Sequence, residues 1–253
     1  MKKVRQRLVV GNWKMNPRTL AEGIDCAKKI ARNLPKKSPT VMLAVPILFL
    51  KDIHKAVKIK IGMQSIAPEQ DGSHTGLSSA PQGISVGASF TIIGHSEERS
   101  RGVTDESISK QVQIACTLKL PFVLCVGENI RDEEGHYLEV VSSQLVKAFE
   151  KVTLRHVPLI TIAYEPVWAI GKNAQVPASP KECLETLILI KRVLADKFGA
   201  KKSESIQILY GGSVNRENAA SFIKEGGADG LLVGRESLKP KNFTDIINLI
   251  GQV

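Results

Sequence analysis

The stretch LITIAYEPVW, residues 159–168, places a continuous apolar and β-branched run directly before an acidic residue and a proline. A short run without polar alternation indicates a strand that is buried on both faces, which is typical of parallel sheets covered by helices. Glu165 then lies at the carboxyl end of that strand. This segment predicts a parallel α/β fold with an ionisable residue at a strand end.

Seven further runs of this kind occur along the chain, at residues 8–10, 41–45, 59–63, 90–93, 122–126, 206–210 and 230–233. Helix patterns lie between them, with starts such as the capping box Ser179-Pro180-Lys181-Glu182 and the acidic turn after Thr104. Eight strand–helix units in 253 residues fit a closed (βα)8 barrel better than an open doubly wound sheet of about six strands. We therefore predict an α/β fold in which a single barrel domain covers residues 1–253.

The carboxyl ends of the strands in such a barrel meet at one rim, where active sites are built. Ionisable residues and glycine turns follow five of the runs, at 11–14, 94–97, 165–168, 211–213 and 234–237. The last two turns allow a ligand to approach the backbone closely, and a helix start behind them favours an anion. Either turn alone fits an ordinary loop equally well, but together they favour a phosphate site. No nucleotide-binding glycine motif is present.

Three residues on this rim could carry chemistry. Glu165 is a candidate general base, although an ion-paired structural glutamate would show the same pattern. His95 could transfer a proton or serve only as a hydrogen-bonded structural residue, and the carboxylate on the same rim favours the first. Lys14 could supply positive charge to a phosphate or a developing oxyanion, or lie on the surface.

The chain has 35 basic and 25 acidic side chains, a net charge of +10, and 43% apolar residues. This composition is typical of a globular protein and excludes disordered and fibrous classes. Residues 1–60 hold 15 of the basic and three of the acidic side chains. Such a sector can bind nucleic acid, but no aromatic residues interleave with its lysines. We expect a solvated helix face and no nucleic-acid partner.

The longest apolar run, at 41–50, is interrupted by Pro46 and reaches only about half of the ~18 residues that a membrane span needs. The apolar segment after the basic N-terminus is too short for a signal peptide. We expect no membrane partner and a cytoplasmic location. The cysteines, Cys26, Cys116, Cys125 and Cys183, are widely spaced, and the histidines show no ligand spacing, so we expect no metal and no cofactor.

Four blocks of the sequence resemble the signature segments of the triosephosphate isomerase family. They are GNWKMN at 11–16, IGHSE at 93–97, AYEPVWAIG at 163–171 and YGGSV at 210–214, in the family's order. The similarity runs in register from about Leu8 to Leu238. It implies a TIM barrel that interconverts dihydroxyacetone phosphate and D-glyceraldehyde 3-phosphate by proton transfer through an enediolate, without cofactor or metal, in glycolysis and gluconeogenesis.

The resemblance also implies residue roles. Glu165 would be the base, His95 the electrophile, and Lys14 with Asn12 the electrostatic partners of the enediolate. The phosphate would be held around Gly171, Gly212, Ser213, Gly234 and Arg235. Supporting residues would be Ser96, Glu97, Tyr210 and Trp168. Residues 166–174 would form a lid that excludes water.

The sequence departs from the family at several of these segments. Glu98 and Thr104 stand where the family commonly has an arginine and its acidic partner, so we expect that local ion pair to be absent. Lys172-Asn173-Ala174 replaces the usual Thr-Gly-Lys of the lid. Arg235 follows the last glycine, where it either contacts the phosphate or points outward.

Family members are usually homodimers in which a loop after the third strand enters the neighbour's active site. The segment GSHTG at 72–76 matches that loop, so Thr75 of the partner subunit would support each site. Leu77 replaces the glutamate that normally follows, and Gly83 stands where the next helix is usually apolar. We expect a homodimer with a less polar interface.

Two other functions remain open from the sequence. A different phosphosugar barrel, such as an aldolase or epimerase, would use the same rim, and a phosphate- or polyanion-binding protein would use the basic first quarter. A coupled assay with glyceraldehyde 3-phosphate separates them. In an isomerase, the basic excess would help attract a dianionic triose phosphate, an effect that salt weakens.

Overall fold

The computed structural model describes residues 6–36, 38–170 and 177–253. Within these ranges the chain forms eight strands, and every strand pair is parallel. They are β1 (Leu8–Asn12), β2 (Thr40–Ala44), β3 (Lys60–Gly62), β4 (Thr91–Ile93), β5 (Phe122–Val126), β6 (Ile160–Tyr164), β7 (Gln207–Tyr210) and β8 (Gly230–Val233). Each lies within or overlaps one predicted run, which confirms the α/β class.

The sheet curls into a barrel. Its strand order is β3-β2-β1-β8-β7-β6-β5-β4, so β3 and β4 are the two ends. A parallel bridge between Met63 and Thr91 joins these ends, with Met63 N–H donating to the Phe90 carbonyl at 3.0 Å. This closure confirms the predicted (βα)8 barrel. Because all strands run in the same direction, their carboxyl ends share one rim.

Helices cover the outside of the barrel. Those in the described ranges are α1 (Leu20–Asn33), α2 (Ile47–Ala56), α3 (Ala80–Ser85), α4 (Ser96–Arg99), α5 (Asp105–Thr117), α6 (His136–Ala148), α7 (Pro180–Phe198), α8 (Ala200–Ser203), α9 (Ala219–Lys224) and α10 (Pro240–Gly251), with short 3-10 turns at Leu154–Leu159, Val167–Ala169 and Arg235–Leu238. Ser179 and Glu182 form the predicted capping box of α7, and Thr104 caps α5. None of these helices is long and apolar enough to cross a membrane.

The apolar core has two layers, and the strands contribute alternate residues to each. Leu8 and Val10 of β1 belong to a cluster inside the barrel, whereas Val9 belongs to the larger cluster between strands and helices. All five residues of β1 are buried. Burial on both faces is the physical reason for the continuous apolar runs.

Gly83 in α3 makes room for Met63 at the end of β3. A Cβ atom at position 83 would lie 1.9 Å from the Met63 sulfur, far inside contact distance. Met63 is itself almost fully buried. The glycine that departs from the family's apolar pattern is therefore compensated by the side chain of a neighbouring strand.

Much of the basic excess lies at the end of the barrel opposite the rim. The cationic residues at this end lie at or near the starts of strands or the carboxyl ends of helices. They are Arg7, Arg32, Lys36, Lys55, Lys58 and Lys60. Lys14 and Arg18, by contrast, follow β1 on the rim side. The charge that stands out in the sequence is thus largely remote from the predicted site.

Candidate active site

Glu165 is the first residue after β6 and is 2% exposed. Its backbone N–H continues the sheet by donating to the Val126 carbonyl at 2.8 Å. Gly127 and Gly211, after the flanking strands, let the chain pack closely: Cβ atoms there would lie 1.8 Å from the Glu165 carbonyl oxygen and 3.1 Å from its Cγ. The neighbouring strands therefore fix this carboxylate at the rim.

Both carboxylate oxygens of Glu165 are engaged by the segment after β4. Oε2 accepts the Ser96 backbone N–H at 2.8 Å, and Oε1 lies 3.2 Å from His95 Nε2. The structure thus brings together Glu165, His95 and Ser96, which are about 70 residues apart in sequence. At these distances a carboxylate and an imidazole lie within hydrogen-bond reach of each other, which is the geometry that general acid–base chemistry requires.

His95 caps α4 with its ring. The Glu97 backbone N–H donates to His95 Nδ1 at 3.1 Å, so Nδ1 must carry a lone pair. In a neutral imidazole the proton then resides on Nε2, which points toward Glu165. His95 is also buried. Its Nε2–H is therefore oriented as a hydrogen-bond donor into the site.

Lys14 reaches the same rim from β1. Its backbone has a φ of 54°, uncommon for a residue other than glycine, and its N–H donates to Asn12 Oδ1 at 3.0 Å. The Lys14 ammonium lies 2.6 Å from Glu97 Oε1. Although burial favours a higher pKa for Glu97, the hydrogen bond and charge of Lys14 hold it below the ordinary value. Asn12, Lys14 and Glu97 thus form one polar cluster with His95.

The two glycine turns lie beside this cluster. A Cβ at Gly234 would sit 3.7 Å from Lys14 Cε, so the turn after β8 adjoins the lysine. Gly212 packs on Tyr210, because a Cβ atom at position 212 would lie 2.2 Å from the Tyr210 hydroxyl oxygen. The Ser213 hydroxyl donates to the Ala169 carbonyl at 3.3 Å. Arg235 begins a 3-10 turn and is exposed. Gly171 and the rest of the predicted lid segment, at 172–174, lie outside the described residues.

Trp168 and Tyr164 converge on a residue that the sequence analysis missed. Both donate to Glu128 Oε1, each at 2.8 Å, and Glu128 is 1% exposed. Gly127-Glu128 follows β5 at the rim, so the rule applied to the other strands could have found it. Tyr210 stacks on Phe222 with ring centroids 3.6 Å apart.

Two further neighbours were also missed. Gln64, after β3, donates to the Lys14 carbonyl at 2.8 Å and thereby supports the unusual backbone of Lys14. Cys125, in β5, lies beneath Glu165; burial, and then the Glu165 charge, raise the pKa of its thiol. A lone cysteine and a lone glutamine carry no sequence pattern that would have revealed these contacts.

The region after His95 holds an ion pair, but between different residues from the pair that the sequence analysis expected to be absent. Glu98 is buried and accepts a hydrogen bond from the Ser65 hydroxyl rather than pairing with residue 104. The segment nevertheless holds an ion pair one position further on, between Arg99 and Asp105 at 2.6 Å. Arg99 also donates to the Gly94 carbonyl at 2.9 Å, so it anchors the turn that carries His95.

The loop expected to reach a partner lies away from this centre. Thr75 and its neighbours at 72–76 are exposed, as are Met15, Leu48 and Leu77 after β1, β2 and β3. Asp132, Glu134 and His136 bring potential ligand atoms within 4.8 Å of one another, a cluster the sequence analysis did not anticipate. The Asp132 carboxylate accepts the His136 backbone N–H, which accounts for this mostly exposed group as a helix cap.

The chain is similar to known proteins along nearly its whole length. Residues 7–250 match the family model described as triosephosphate isomerase. The chain is 35% identical over 250 residues to the triosephosphate isomerase of Alkaliphilus oremlandii, covering 97% of this chain and 100% of that protein. It is 36% identical over 252 residues to the triosephosphate isomerase of Bacteroides fragilis, covering 97% and 99%. Both alignments span essentially the whole barrel.

Proposed function

This chain belongs to the triosephosphate isomerase family, and we propose that Glu165 and His95 are the pair that transfers protons in its reaction. The enzyme is an aldose–ketose isomerase that interconverts dihydroxyacetone phosphate and D-glyceraldehyde 3-phosphate in glycolysis and gluconeogenesis, on a TIM barrel. The observation that supports the assignment is the buried Glu165 carboxylate 3.2 Å from His95 Nε2.

In the ketose-to-aldose direction, Glu165 removes a proton from carbon 1 while the His95 Nε2–H polarises the carbonyl oxygen at carbon 2. The electrons of the C–H bond form the carbon–carbon double bond of an enediolate. Glu165 then returns the proton to carbon 2, and the proton on the oxygens is exchanged through His95. In this family, polarisation of the substrate carbonyl by a neutral histidine is already established. The donor geometry of His95 supports the same role here.

The base has to leave its present partners to act. Both oxygens of Glu165 are occupied by Ser96 N–H and His95 Nε2, so substrate entry requires the carboxylate to give up these bonds. Lys14, with Asn12, would offset the charge that develops on the enediolate oxygens. Glu97 holds the Lys14 ammonium in position for this task.

The phosphate would be bound by the turns at Gly212, Ser213, Gly234 and Arg235, with Gly171 from outside the described residues. The proximity of Gly234 to Lys14 supports this, because it places a close-approach backbone turn beside a cation. Arg235 is exposed at that turn and would add a charged contact. The segment at 166–174 would act as the lid, and Trp168 and Tyr210 would support its two ends.

The functional unit would be a homodimer of single-domain chains covering residues 1–253. Met15 and Leu48 are 94% and 83% exposed, and Leu77 and Ile84 are exposed apolar residues of the segments that follow β3. A second copy would cover these residues and bring Thr75 of the partner subunit to the site. The interface would be less polar than usual, because Leu77 replaces an acid.

We also propose a cytoplasmic location and a reaction without cofactor or metal. The four cysteines are free and buried, which fits a reducing compartment. Proton transfer at carbon by a carboxylate and at oxygen by an imidazole needs neither a redox group nor a Lewis acid.

The test of the base is Glu165→Asp. The shorter side chain retracts the carboxylate by roughly 1 Å, which should lower kcat by about 100-fold and leave KM within about threefold. Glu217→Gln, an exposed glutamate on the same molecule, is the matched control and should retain full activity. A wild-type kcat for Glu165→Asp in the coupled assay would show that another group is the base.

A further inference from the structure

We propose that Arg131 is a positioning residue for the isomerisation: its guanidinium maintains Glu128 as an ionised acceptor that fixes Tyr164 and Trp168 around Glu165. The inference rests on the proposed role of Glu165 as the base. Arg131 lies in the loop between β5 and α6 and has no role in the mechanism described above.

Glu128 bears two hydrogen bonds on a single oxygen. Oε1 accepts both the Tyr164 hydroxyl and the Trp168 indole N–H, whereas the buried Oε2 has no hydrogen-bond partner among the described residues. Hydrogen bonds to an ionised carboxylate are roughly twice as strong as those to a neutral acceptor. Protonation would weaken both bonds and would place an O–H in a buried position that lacks an acceptor. The geometry therefore requires the ionised form.

Arg131 is the cation that faces this carboxylate. Its Nη1 lies 3.9 Å from Glu128 Oε1 and is buried, with no hydrogen-bond partner in the part of the chain that the structure describes. The guanidinium carbon stands 4.2 Å above the Tyr137 ring, and Nη2 contacts Glu185. A buried guanidinium nitrogen that makes no hydrogen bond costs stability, but at this distance it still attracts the Glu128 charge.

The charged and titratable groups around Glu128 come from three elements. Tyr164 belongs to β6, Tyr137 to α6 and Glu185 to α7, and the last is paired with Arg131. Burial raises the pKa of Glu128, while the hydrogen bonds from Tyr164 and Trp168 and the charge of Arg131 lower it. Both tyrosines have a raised pKa because they are buried, and so stay neutral. Removal of Arg131 should therefore raise the pKa of Glu128 further.

Glu128 is coupled to the base through the backbone on either side of Glu165. Tyr164 precedes it directly, and Trp168 lies in the 3-10 turn that follows Pro166. The Glu128 carbonyl also accepts the Val167 N–H at 3.0 Å. Loss of the carboxylate as an acceptor would release both side chains that flank the base, which should lower kcat more than it raises KM.

The experiment is Arg131→Met, which keeps a flexible unbranched side chain, although a shorter one, and removes the charge. Below the raised pKa of Glu128, the ionised fraction falls by about tenfold per pH unit. We expect kcat of this variant to begin to fall at a higher pH than kcat of the wild type, and to fall by up to about tenfold per pH unit below that point. The indole N–H signal of Trp168, assigned by its loss in Trp168→Phe, should shift with the same midpoint in NMR spectra.

Three variants separate this role from a general loss of packing. Arg131→Lys keeps the charge and should restore the wild-type pH profile. Glu185→Gln removes the other partner of Arg131, is exposed, and should leave the profile unchanged. Addition of Glu128→Gln to Arg131→Met removes the titrating group, so the new pH transition should disappear.

The proposal is wrong if Arg131→Met has the wild-type pH profile and an unshifted Trp168 signal, or if its transition survives Glu128→Gln. An NMR transition without a matching change in kcat would also overturn the positioning role. Failure of the proposed base is distinguishable from these results, because it appears in Glu165→Asp alone and leaves the NMR transition of Arg131→Met intact.

Discussion

Glu98 is a buried carboxyl group three residues after His95. Oε1 accepts the Ser65 hydroxyl, and Oε2 has no hydrogen-bond partner within residues 6–36, 38–170 and 177–253. Burial raises the pKa of Glu98, opposed by the Ser65 hydrogen bond and by the charges of Arg101, His95 and Arg99. The folded protein thus holds this proton more tightly than the unfolded chain, in which a glutamate has a pKa of about 4.3.

The raised pKa determines the sign of a pH effect on stability. The contribution of Glu98 is most favourable below the unfolded pKa and is lost as pH rises through the folded pKa, because the folded state then gives up a proton it binds more tightly. Glu98→Gln keeps an acceptor for Ser65 and removes the titration. Between about pH 5 and about pH 8, its free energy of unfolding should decline less than that of the wild type, by roughly 1 kcal/mol.

Urea unfolding at the two pH values measures this difference. The exposed Glu217→Gln serves as the control and should follow the wild type at both. If Glu98→Gln and the wild type change in parallel with pH, the Glu98 carboxyl does not titrate differently in the folded and unfolded states.

At the scale of elements, α3 and β3 are fitted to each other through Gly83 and Met63. Gly83→Ala would place a methyl group 1.9 Å from the present Met63 sulfur position. Met63 must then move within a packed core, so we expect a loss of about 1–3 kcal/mol in the free energy of unfolding. Met63→Ala in the same chain should remove the overlap.

A double-mutant cycle tests this fit. The effect of Gly83→Ala should be smaller in the Met63→Ala background than in the wild type, with a coupling energy of about 1 kcal/mol or more. Additive effects of the two substitutions in urea unfolding would show that α3 tolerates the methyl group without contact with β3.

At the scale of the whole molecule, the exposed apolar residues Met15, Leu48, Leu77 and Ile84 form the predicted dimer interface. Leu48→Arg would place a charge in the proposed apolar contact, so we expect the variant to sediment as a monomer at micromolar concentration with reduced activity. Ile188→Arg on α7 is the control, since Ile188 is also an exposed apolar residue but lies on a different helix. A wild-type chain that is monomeric and fully active at that concentration would exclude the dimer.

The distribution of charge gives a second prediction at this scale. Lys55, Lys58 and Lys60 lie at the end of the barrel opposite the rim, about 16 Å away along a five-residue strand. The Debye length at physiological salt is only about 8 Å, so their influence on a substrate at the rim is screened. Replacement of all three by Gln should leave kcat/KM within about twofold.

The corresponding change on the rim side is Arg18→Gln. Because Arg18 follows β1 beside Lys14, its removal should weaken the dependence of kcat/KM on ionic strength, while the triple variant retains the wild-type dependence. If the triple variant instead lost that dependence, the remote lysines would be the ones that attract the substrate.

The barrel, its eight strands and most of the rim can be predicted from sequence patterns alone, because strands buried on both faces require continuous apolar runs and the polar residues of the rim follow directly after them. Glu165, His95, Lys14 and the glycine turns were located in this way. The same rule predicts a rim position for Glu128, because this residue also follows directly after a strand, β5.

The contacts among these groups follow from the folded structure and could not be predicted from the sequence. The approach of Glu165 to His95, the hydrogen bonds on Glu128 and the packing of Met63 on Gly83 all join residues that are distant in sequence. Sequence patterns predict whether a residue is buried and where a helix or strand begins, because both depend on residues that are close together in the chain. Distances between side chains depend on the closure of the sheet and the packing of the core, which the chain reaches only when all eight units come together.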